Sequence, residues 1–460
     1  MKNFIKKIIP PPFLSWYHFL LALLGAVLYG FPSQRLKVIG VTGTKGKSTV
    51  VELAGQILEE AGYKVASISS IRFKIADKEW LNDLKMTMPG RLKLQRFLKE
   101  AVDSGCQYAI IEVTSEGILQ HRHRFIDFDV VVFTNLAPEH IERHGSFEKY
   151  REAKGKLFQA CKNIHVLNLD DKNVNFFSKF PSREKIFYTL QSPSDHISLL
   201  LRSSRLISWK IVKGKKLVSK MDGSFSKIAP FKKHFPSRFK VKDKVFNLNL
   251  LGWFNIYNAL AAISIALSQG INLEICKRAL EKIKEIPGRM EIVIEKPFRV
   301  IVDYAHTPQS LKEVYETLRN PKFQTPNSKQ ISNSKFQKSK LICVLGAAGG
   351  GRDKWKRPKM GEIASRYCDK IILTNEDPYD EDPMKIIEEI AAGVKGEPEK
   401  ILDRREAIRR ALCLAKQSST RATVIITGKG SEPWMCLAGG KKIPWDDRKI
   451  VKEEFKKLTL

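Results

Sequence analysis

The stretch KVIGVTGTKGKST, residues 37–49, joins an apolar run to a glycine-rich loop, and a helical pattern that ends at Gly62 follows it. Glycines let backbone N–H groups turn toward an anion, and the N-terminus of the following helix adds a positive field. Lys47 can reach outer phosphates, and the Ser48 hydroxyl can bind Mg²⁺. The stretch therefore predicts a strand, a phosphate-binding loop and a helix, in a spacing variant that has Val41 where the general pattern has glycine.

The composition is that of a globular protein. The chain has 460 residues, of which 43% are hydrophobic, so we expect two or three domains with buried cores. Its 7 cysteines are an odd number and contain no C-x-x-C pair. They therefore argue against a disulfide framework and a zinc site, and favour a reducing compartment.

The formal net charge is +31. A lysine-rich solvated surface, nucleic-acid binding, attraction to an anionic membrane and recruitment of acidic substrates all fit such a charge. The basic residues are densest from Lys210 to Lys244, and no clear aromatic-rich signature of single-strand binding interleaves them. We therefore expect no sequence-specific recognition of nucleic acid.

Residues 1–36 form a basic and then apolar helical segment. Lys2, Lys6 and Lys7 precede a run from residue 13 to 31 that carries no formal charge. A cleaved signal peptide is not expected, because the phosphate loop follows almost at once and must face cytosolic nucleotide. Packing on the next domain, peripheral anchoring of residues 1–33 at a membrane surface and a short membrane span remain open, and we favour the first two.

The rest of the chain predicts an α/β fold. Strand and helix patterns alternate through residues 37–286, which indicates a central P-loop-type ATPase domain with a mostly parallel sheet, although 187–250 is richer in short β patterns. Pro287-Gly288 marks a hinge, and 287–460 repeats the alternation as a Rossmann-like α/β domain. Within it, 321–340 lacks an apolar period and is predicted to be a flexible, solvated insertion.

Polar residues follow several predicted strands. Glu112 closes one apolar strand, and His140 comes shortly after the next, which ends at Thr134. Because the carboxyl ends of parallel strands meet at one edge of a sheet, we expect Glu112 and His140 to converge beside Ser48. Lys154 lies on a helix four residues after Tyr150, and the residues alone favour an ordinary solvated lysine there.

Three loops in the C-terminal half also follow strands. They are DYAHTP at 303–308, GAAGGGRD at 346–353 and GKGSE at 428–432. Each is placed where ligands commonly bind in parallel α/β sheets, and the glycines of the second allow close approach of the backbone.

Taken together, the motifs resemble the Mur ligase family, most closely the MurE type that adds the third residue to UDP-N-acetylmuramoyl-dipeptide. The resemblance runs from about residue 37 to the C-terminus. The matching stretches, in order, are 43–49, 112–115, 134–145, 150–154, 252–258, 287–291, 303–308, 352–354, 376–378 and 428–432.

The resemblance implies an ATP-dependent, ADP-forming ligase that joins an amino acid to a muramoyl-peptide-like carboxylate through an acyl phosphate, in peptidoglycan precursor synthesis. The cofactors that it implies are ATP, two Mg²⁺ ions and a CO₂-derived carbamate on Lys154. The catalytic residues would be Lys47, His140, Lys154 and Arg289. The metal ligands would be Ser48, Glu112, His140 and carbamylated Lys154. ATP would be bound by Gly43, Thr44, Lys45, Gly46, Lys47, Ser48, Thr49, Asn255, Arg289, Asp303 and His306. Substrates would be bound by Thr87, Thr114, Ser115, Gln120, Arg122, Asp377, Gly428 and Glu432.

Two departures from the MurE pattern shape the expected substrates. Residues 1–36 are too few for the N-terminal domain that usually holds the uridine nucleotide, so the sequence leaves open whether the acceptor carries UDP. Glu376-Asp377-Pro378-Tyr379 stands where the diaminopimelate-type enzymes have Asp-Asn-Pro-Arg. Without that arginine we expect lysine or another amine to be preferred over an amino acid with a distal carboxylate. A cytoplasmic monomer is expected.

Two alternatives are carried forward. A folylpolyglutamate synthase-like ligase also couples ATP to amide formation, but DYAHTP at 303–308 and PGRME at 287–291 favour the MurE type. A basic P-loop ATPase that binds nucleic acid has only the net charge in its favour, and salt-sensitive stimulation of ATP hydrolysis by nucleic acid would distinguish it.

Overall fold

The computed structural model describes residues 11–84, 86–190, 205–207, 209–211, 237–242, 244–320, 339–418 and 421–459. The chain divides into two compact units. The first combines Met1–Ser208 with Tyr257–Leu280, and the second combines Trp209–Ile256 with Glu281–Leu460.

The first unit is built on one sheet. Its strands are β1 Lys37–Thr42, β2 Val65–Ile68, β3 Arg72–Ile75, β4 Lys78–Leu81, β5 Tyr108–Glu112, β6 Phe128–Phe133, β7 Ile164–Asn168, β8 Glu184–Tyr188 and β9 Arg205–Ile207. Their order is β4-β3-β2-β5-β1-β6-β7-β8-β9. The pairs from β2 to β9 are parallel, and only β3 and β4 join antiparallel. The phosphate loop therefore leaves a strand near the middle of the sheet.

Helices cover this sheet because its central strands are apolar on both faces. The helices before residue 190 are α1 Pro11–Leu28, α2 Lys47–Glu60, α3 Arg91–Asp103, α4 Ser115–Leu119, α5 Ile141–His144, α6 Phe147–Ala160 and α7 Val174–Ser178. Two more, α8 Phe254–Ser268 and α9 Leu273–Lys282, come later in the chain. Leu157 and Phe158 of α6 belong to the same buried hydrophobic core cluster as Phe128 and Val131 of β6.

The second unit contains a six-stranded sheet in its described part, with the order β13-β14-β18-β15-β16-β17. Its strands are β13 Glu291–Ile294, β14 Arg299–Asp303, β15 Lys340–Leu345, β16 Lys370–Leu373, β17 Glu399–Lys400 and β18 Ala422–Thr427. Its helices are α10 Pro308–Leu318, α11 Lys356–Tyr367, α12 Pro383–Ala391, α13 Arg404–Lys416 and α14 Asp447–Thr459. Small antiparallel sheets are formed by β10 Trp209–Ile211, β11 Ser237–Val241 and β12 Lys244–Leu248, and by β19 Trp434–Cys436 and β20 Lys442–Pro444.

The predicted α/β fold with a mostly parallel central sheet is confirmed. The β3–β4 hairpin was not predicted, because its residues alternate too briefly to stand out. Residues 321–338 of the predicted insertion lie outside the described residues. Lys340, the last residue of the predicted range, begins β15. Most of the basic patch from Lys210 to Lys244, as well as Lys2, Lys6 and Lys7, also lies outside them. Among the described helices, none is long and apolar enough to cross a membrane.

The cysteines depart from expectation in one place. Cys343 of β15 and Cys368, just before β16, form a disulfide with their Cα atoms 6.0 Å apart. The sequence argued against a disulfide framework because the cysteines are odd in number and contain no C-x-x-C pair. The parallel pairing of β15 with β16 nevertheless brings Cys343 and Cys368 together. The other five cysteines are free.

Candidate active site

The phosphate loop connects β1 to the N-terminus of α2, and two glycines make its course possible. Gly43 and Gly46 have φ angles of 151° and 83°. A Cβ at Gly43 would overlap the Thr134 hydroxyl, and one at Gly46 would overlap the Asn258 side-chain oxygen. Both positions therefore need glycine, for its backbone freedom and for the space.

The loop is held by the segment that follows β6, the strand beside β1. The Asn135 amide oxygen accepts the Lys45 N–H at 2.9 Å, and its amide nitrogen donates to the Lys45 carbonyl at 3.0 Å. The Thr44 N–H donates to the Asn135 carbonyl at 2.8 Å, and the Thr134 hydroxyl donates to the Lys45 carbonyl at 2.7 Å. These four hydrogen bonds fix the course of the loop.

The start of α2 brings a hydroxyl and an ammonium to the carboxylate at the end of β5. The Ser48 hydroxyl donates to Glu112 Oε2 at 2.7 Å, and Lys47 Nζ lies 3.7 Å from Glu112 Oε1. Ser70, which follows β2, donates its backbone N–H to the same Oε2 at 3.0 Å. Lys47 also donates to the Thr44 carbonyl at 3.0 Å, so its side chain curls back over the loop. Three adjacent strand ends thus meet at one carboxylate.

Lys154 of α6 is buried, which differs from the solvated lysine that its residue type alone favoured. Its side chain is 1% exposed, and its Nζ donates to the Gly43 carbonyl at 2.8 Å. Burial, together with the positive charge of Lys47, holds the pKa of Lys154 well below its usual range, although Glu139 and Glu112 oppose this. A deprotonated lysine amine is the form that can react with CO₂.

His140 lies next to the same helix. Its φ of 58° places it in the left-handed region just before α5. Its ring centroid lies 6.3 Å from that of Tyr150, whose ring is 4.8 Å from Lys154 Nζ. The Tyr150 hydroxyl lies 3.1 Å from the Thr44 hydroxyl of the phosphate loop. Tyr150 therefore contacts both predicted ligands of the second metal ion, as well as the loop.

The donors predicted for metal ions are a hydroxyl, a carboxylate, an imidazole and a modified lysine. Within the described ranges, no three His, Cys, Asp or Glu side chains are grouped as a metal site. The oxygens of Ser48 and Glu112 suit Mg²⁺.

The predicted substrate residues of the first unit cluster around α4. Thr114 caps α4 by accepting the Gly117 N–H at 3.1 Å, and Ser115 lies 3.1 Å from His144 Nε2. Arg122 donates to Gln120 Oε1 at 2.6 Å and to the Met88 carbonyl, so it fixes the segment that contains half-buried Thr87. Burial lowers the pKa of Arg122 to about 10.

The predicted nucleotide residues of the second unit surround the start of β13 and the end of β14. Asp303 accepts the backbone N–H groups of Met290 and Ala305, each at 2.7 Å. The Arg289 guanidinium lies 4.3 Å from the centre of the Tyr304 ring. Asp303 thus holds in place the turn that carries Arg289.

Two further residues of that set are also fixed locally. His306 Nδ1 lies 2.7 Å from the Tyr304 carbonyl, which selects the tautomer that carries its proton on Nδ1. Asn255, 3% exposed, donates to the Leu251 carbonyl at 2.7 Å.

The predicted amino-acid residues form a buried charge network in the second unit. Lys429 Nζ donates to Asp377 Oδ1 at 2.8 Å and to Glu432 Oε2 at 2.6 Å. Burial opposes ionisation of Glu432, but Lys429 outweighs it and lowers the pKa of Glu432. Glu376 packs against Gly428, and burial and the Asp377 charge raise its pKa to about 7. Its Oε2 has no hydrogen-bond partner in the part of the chain that the structure describes.

Sequence reasoning assigned no role to three residues that shape the phosphate loop: Ser70, Asn135 and Tyr150. Ser70 and Asn135 follow β2 and β6, the strands two places and one place from β1, so their positions at the same edge of the sheet were a usable signal. Tyr150 lies on a helix, and only the tertiary structure brings it to the loop.

Two family models match the chain. The Mur ligase middle domain covers residues 41–266, and the Mur ligase glutamate ligase domain covers residues 288–430. A UDP-N-acetylmuramoyl-L-alanyl-D-glutamate–2,6-diaminopimelate ligase of Syntrophomonas wolfei is 37% identical over 442 residues, covering 94% of this chain and 81% of that protein. The chain belongs to the Mur ligase family. Members of this family are ATP-dependent, ADP-forming ligases.

Solved structures agree with this membership. A structure of a ligase with the same name as the Syntrophomonas protein has a TM-score of 0.56 at 27% identity, covering 92% of this Mur ligase and 79% of that chain. Folylpolyglutamate synthase of Mycobacterium tuberculosis, complexed with ADP and AMPPCP, has a TM-score of 0.62 at 15% identity, covering 89% of this chain and 92% of that one. At that identity, the likeness to folylpolyglutamate synthase concerns the fold alone.

Proposed function

We propose that this Mur ligase joins an amino acid to the terminal carboxylate of a UDP-N-acetylmuramoyl-peptide, with conversion of ATP to ADP and phosphate, in peptidoglycan precursor synthesis. The observation that carries the proposal is the phosphate loop itself, where Ser48 bonds Glu112 and Lys154 bonds the Gly43 carbonyl. An isolated phosphate loop would serve any nucleotide hydrolase. A buried lysine amine against that loop is the feature that favours the Mur ligase reaction.

The loop groups are suited to transfer of the terminal phosphoryl group of ATP to a carboxylate. The backbone N–H groups of residues 43–49 and the N-terminus of α2 would hold the phosphates, and Lys47 would reduce their repulsion of the incoming carboxylate. The carboxylate oxygen attacks the phosphorus, ADP leaves, and an acyl phosphate forms. The amine of the amino acid then attacks the acyl carbon, and phosphate leaves with the oxygen that came from the carboxylate.

For the metal sites, we propose that Ser48 and Glu112 hold one Mg²⁺, and that His140 and carbamylated Lys154 hold a second. Bound Mg²⁺ would supply charge neutralisation at the phosphates. The hydroxyl and carboxylate oxygens fit a hard cation. Burial of the Lys154 amine favours its neutral, CO₂-reactive form, which fits the carbamate.

For nucleotide binding in the second unit, we propose Asn255, Arg289, Asp303 and His306. Their support is the resemblance of the motifs around them, and the bonds that fix the Arg289 turn to Asp303 make the local geometry rigid. We also propose that the central domain spans residues 37–286 and the C-terminal domain 287–460, and that the enzyme is a cytoplasmic monomer whose residues 1–33 contact the inner face of the membrane.

We propose that the added amino acid carries a side-chain amine and lacks a distal carboxylate, with lysine as the first candidate. Tyr379 stands where the diaminopimelate type has arginine, so no guanidinium is provided at that position. Asp377 and Glu432 accept bonds from Lys429, and Glu376 interacts with the charge of the same lysine. Glu376 Oε2, which has no hydrogen-bond partner among the described residues, can accept a bond from an ammonium group.

The experiment is a matrix of acceptors and amino acids, with phosphate release and product mass as readouts and Lys47→Ala as the inactive control. The acceptors are UDP-N-acetylmuramoyl-dipeptide, the same glycopeptide without UDP, and a folate. Lysine with a muramoyl acceptor is expected to give product. A much larger amount of product with diaminopimelate than with lysine would contradict the amino-acid proposal. Product with the folate and with neither muramoyl acceptor would contradict the proposal of a muramoyl-peptide substrate.

A further inference from the structure

Helix α1 presents an apolar ridge to solvent. Its large exposed side chains include Phe13, Trp16, Leu20, Leu24, Val27 and Leu28, each between 53% and 68% exposed. At 3.6 residues per turn they fall within about 120° of arc, so they form one continuous ridge. Soluble monomeric proteins rarely expose large contiguous apolar patches, and such patches mark interaction sites.

The opposite face of α1 fixes the helix on the first unit. Ala22 and Ala26 are 2% and 0% exposed, and Gly25 lies so close to α3 that a Cβ there would meet the Leu92 Cα at 3.4 Å. The Phe19 ring lies 5.2 Å from that of Phe125. Because the small residues are used for this packing, the ridge is a surface of the folded unit and not of a detached helix.

The sequence around the ridge is cationic. Residues 1–51 contain no Asp or Glu, and Lys2, Lys6 and Lys7 come directly before the helix. The helix itself has no charged residue. An uncharged apolar helix that follows a basic segment in the sequence is complementary to an anionic lipid surface, where the rings of Trp16 and Tyr17 suit the headgroup level.

We infer that α1 binds the protein to the surface of an anionic lipid bilayer by inserting this ridge at the headgroup boundary. The helix lies along the surface, because its Ala22-to-Ala26 face is covered by α3 and cannot face lipid. This inference specifies the membrane contact of residues 1–33 that is included in the proposed function. It does not depend on which amide bond the enzyme makes.

Co-sedimentation of the full chain with vesicles tests the inference. Vesicles of phosphatidylglycerol with phosphatidylcholine are expected to bind the protein, more weakly at high ionic strength, and pure phosphatidylcholine vesicles much less. Leu20→Glu with Leu24→Glu should lower partitioning at least about tenfold, because two ridge side chains become charged. Leu81→Glu is the matched control, since Leu81 is 48% exposed on β4, and it should leave partitioning unchanged.

Two further readouts make the outcome decisive. Trp16→Phe should remove the vesicle-induced blue shift of fluorescence, and the double Glu variant should keep the thermal stability and the ligase rate in solution. Equal binding of wild type and double variant, or no anionic preference, would overturn the inference. Self-association that the double variant abolishes, without vesicle binding, would assign the ridge to a second copy instead.

Discussion

Replacing Lys154 by methionine separates its proposed chemistry from its packing. Methionine keeps the length and apolar stem of the buried side chain but has no amine for CO₂. Lys154 Nζ makes a hydrogen bond of 2.8 Å to the Gly43 carbonyl, and its loss should cost about 0.5–1.5 kcal/mol. Relief from burying an amine that is 1% exposed offsets that loss, so we expect the free energy of unfolding to change by less than about 1 kcal/mol.

The activity should respond quite differently. A partner that only orients a metal ligand typically contributes 10–100-fold, so removal of the ligand itself should lower kcat/KM by at least about 100-fold. An ordinary lysine is neutral in about one molecule per thousand at pH 7.5, and each unit by which burial lowers the pKa of Lys154 raises that fraction tenfold. Removing dissolved CO₂ and bicarbonate should therefore slow the wild type reversibly.

The assay couples ADP release to NADH oxidation, with urea unfolding measured in parallel. Lys156→Met, on the exposed side of the same helix, is the control and should match the wild type in both measurements. Full activity of Lys154→Met, or indifference of the wild type to bicarbonate, would refute the carbamate. A large loss of stability in Lys154→Met would show that the side chain acts mainly through packing.

Three other predictions concern stability and specificity. His123 is buried, and neither of its ring nitrogens has a hydrogen-bond partner within the described ranges. Burial lowers its pKa to about 3, so only the unfolded chain binds its proton between pH 6.5 and about 3. The free energy of unfolding should thus fall with decreasing pH by up to about 1.4 kcal/mol per unit from this residue, and a His123→Leu variant should show a flatter urea-midpoint profile; an unchanged profile would contradict the prediction. Tyr379→Arg should raise the ratio of kcat/KM for diaminopimelate to that for lysine by about 10–100-fold, and an unchanged ratio would exclude this position from specificity. Gly288→Ala, at φ 64° and against the Ser431 backbone, should lower the free energy of unfolding by more than about 3 kcal/mol. Gly396→Ala, at φ 93° in open space, should lower it by only about 1 kcal/mol. Equal losses in thermal unfolding would mean that backbone strain alone, and not the contact with Ser431, determines the effect.

The parts that could be predicted from the sequence have short-range signals. The phosphate loop follows an apolar strand and precedes an amphipathic helix, so β1 and α2 are placed by local pattern, and the alternation around them predicts the α/β fold. The meeting of Ser48 with Glu112 follows from parallel strands sharing an edge.

Other features depend on tertiary contacts that no local pattern carries. Burial of Lys154 requires its helix to face the loop, and a lysine between Ala153 and Gly155 gives no hint of that. The hydrogen bonds between Asn135 and the phosphate loop, and the Cys343–Cys368 disulfide, join residues that are distant in sequence. The exposed ridge of α1 could be recognised only once its small-residue face was seen against α3.

The most direct test of the central claim follows one oxygen atom. The terminal carboxylate of the muramoyl-peptide acceptor is labelled with ¹⁸O and incubated with ATP, lysine and enzyme, and the released phosphate is analysed by mass spectrometry. Activation through an acyl phosphate predicts one ¹⁸O in phosphate for each amide formed, and none with Lys47→Ala. Phosphate without label, or label that appears in AMP, would contradict the proposed reaction.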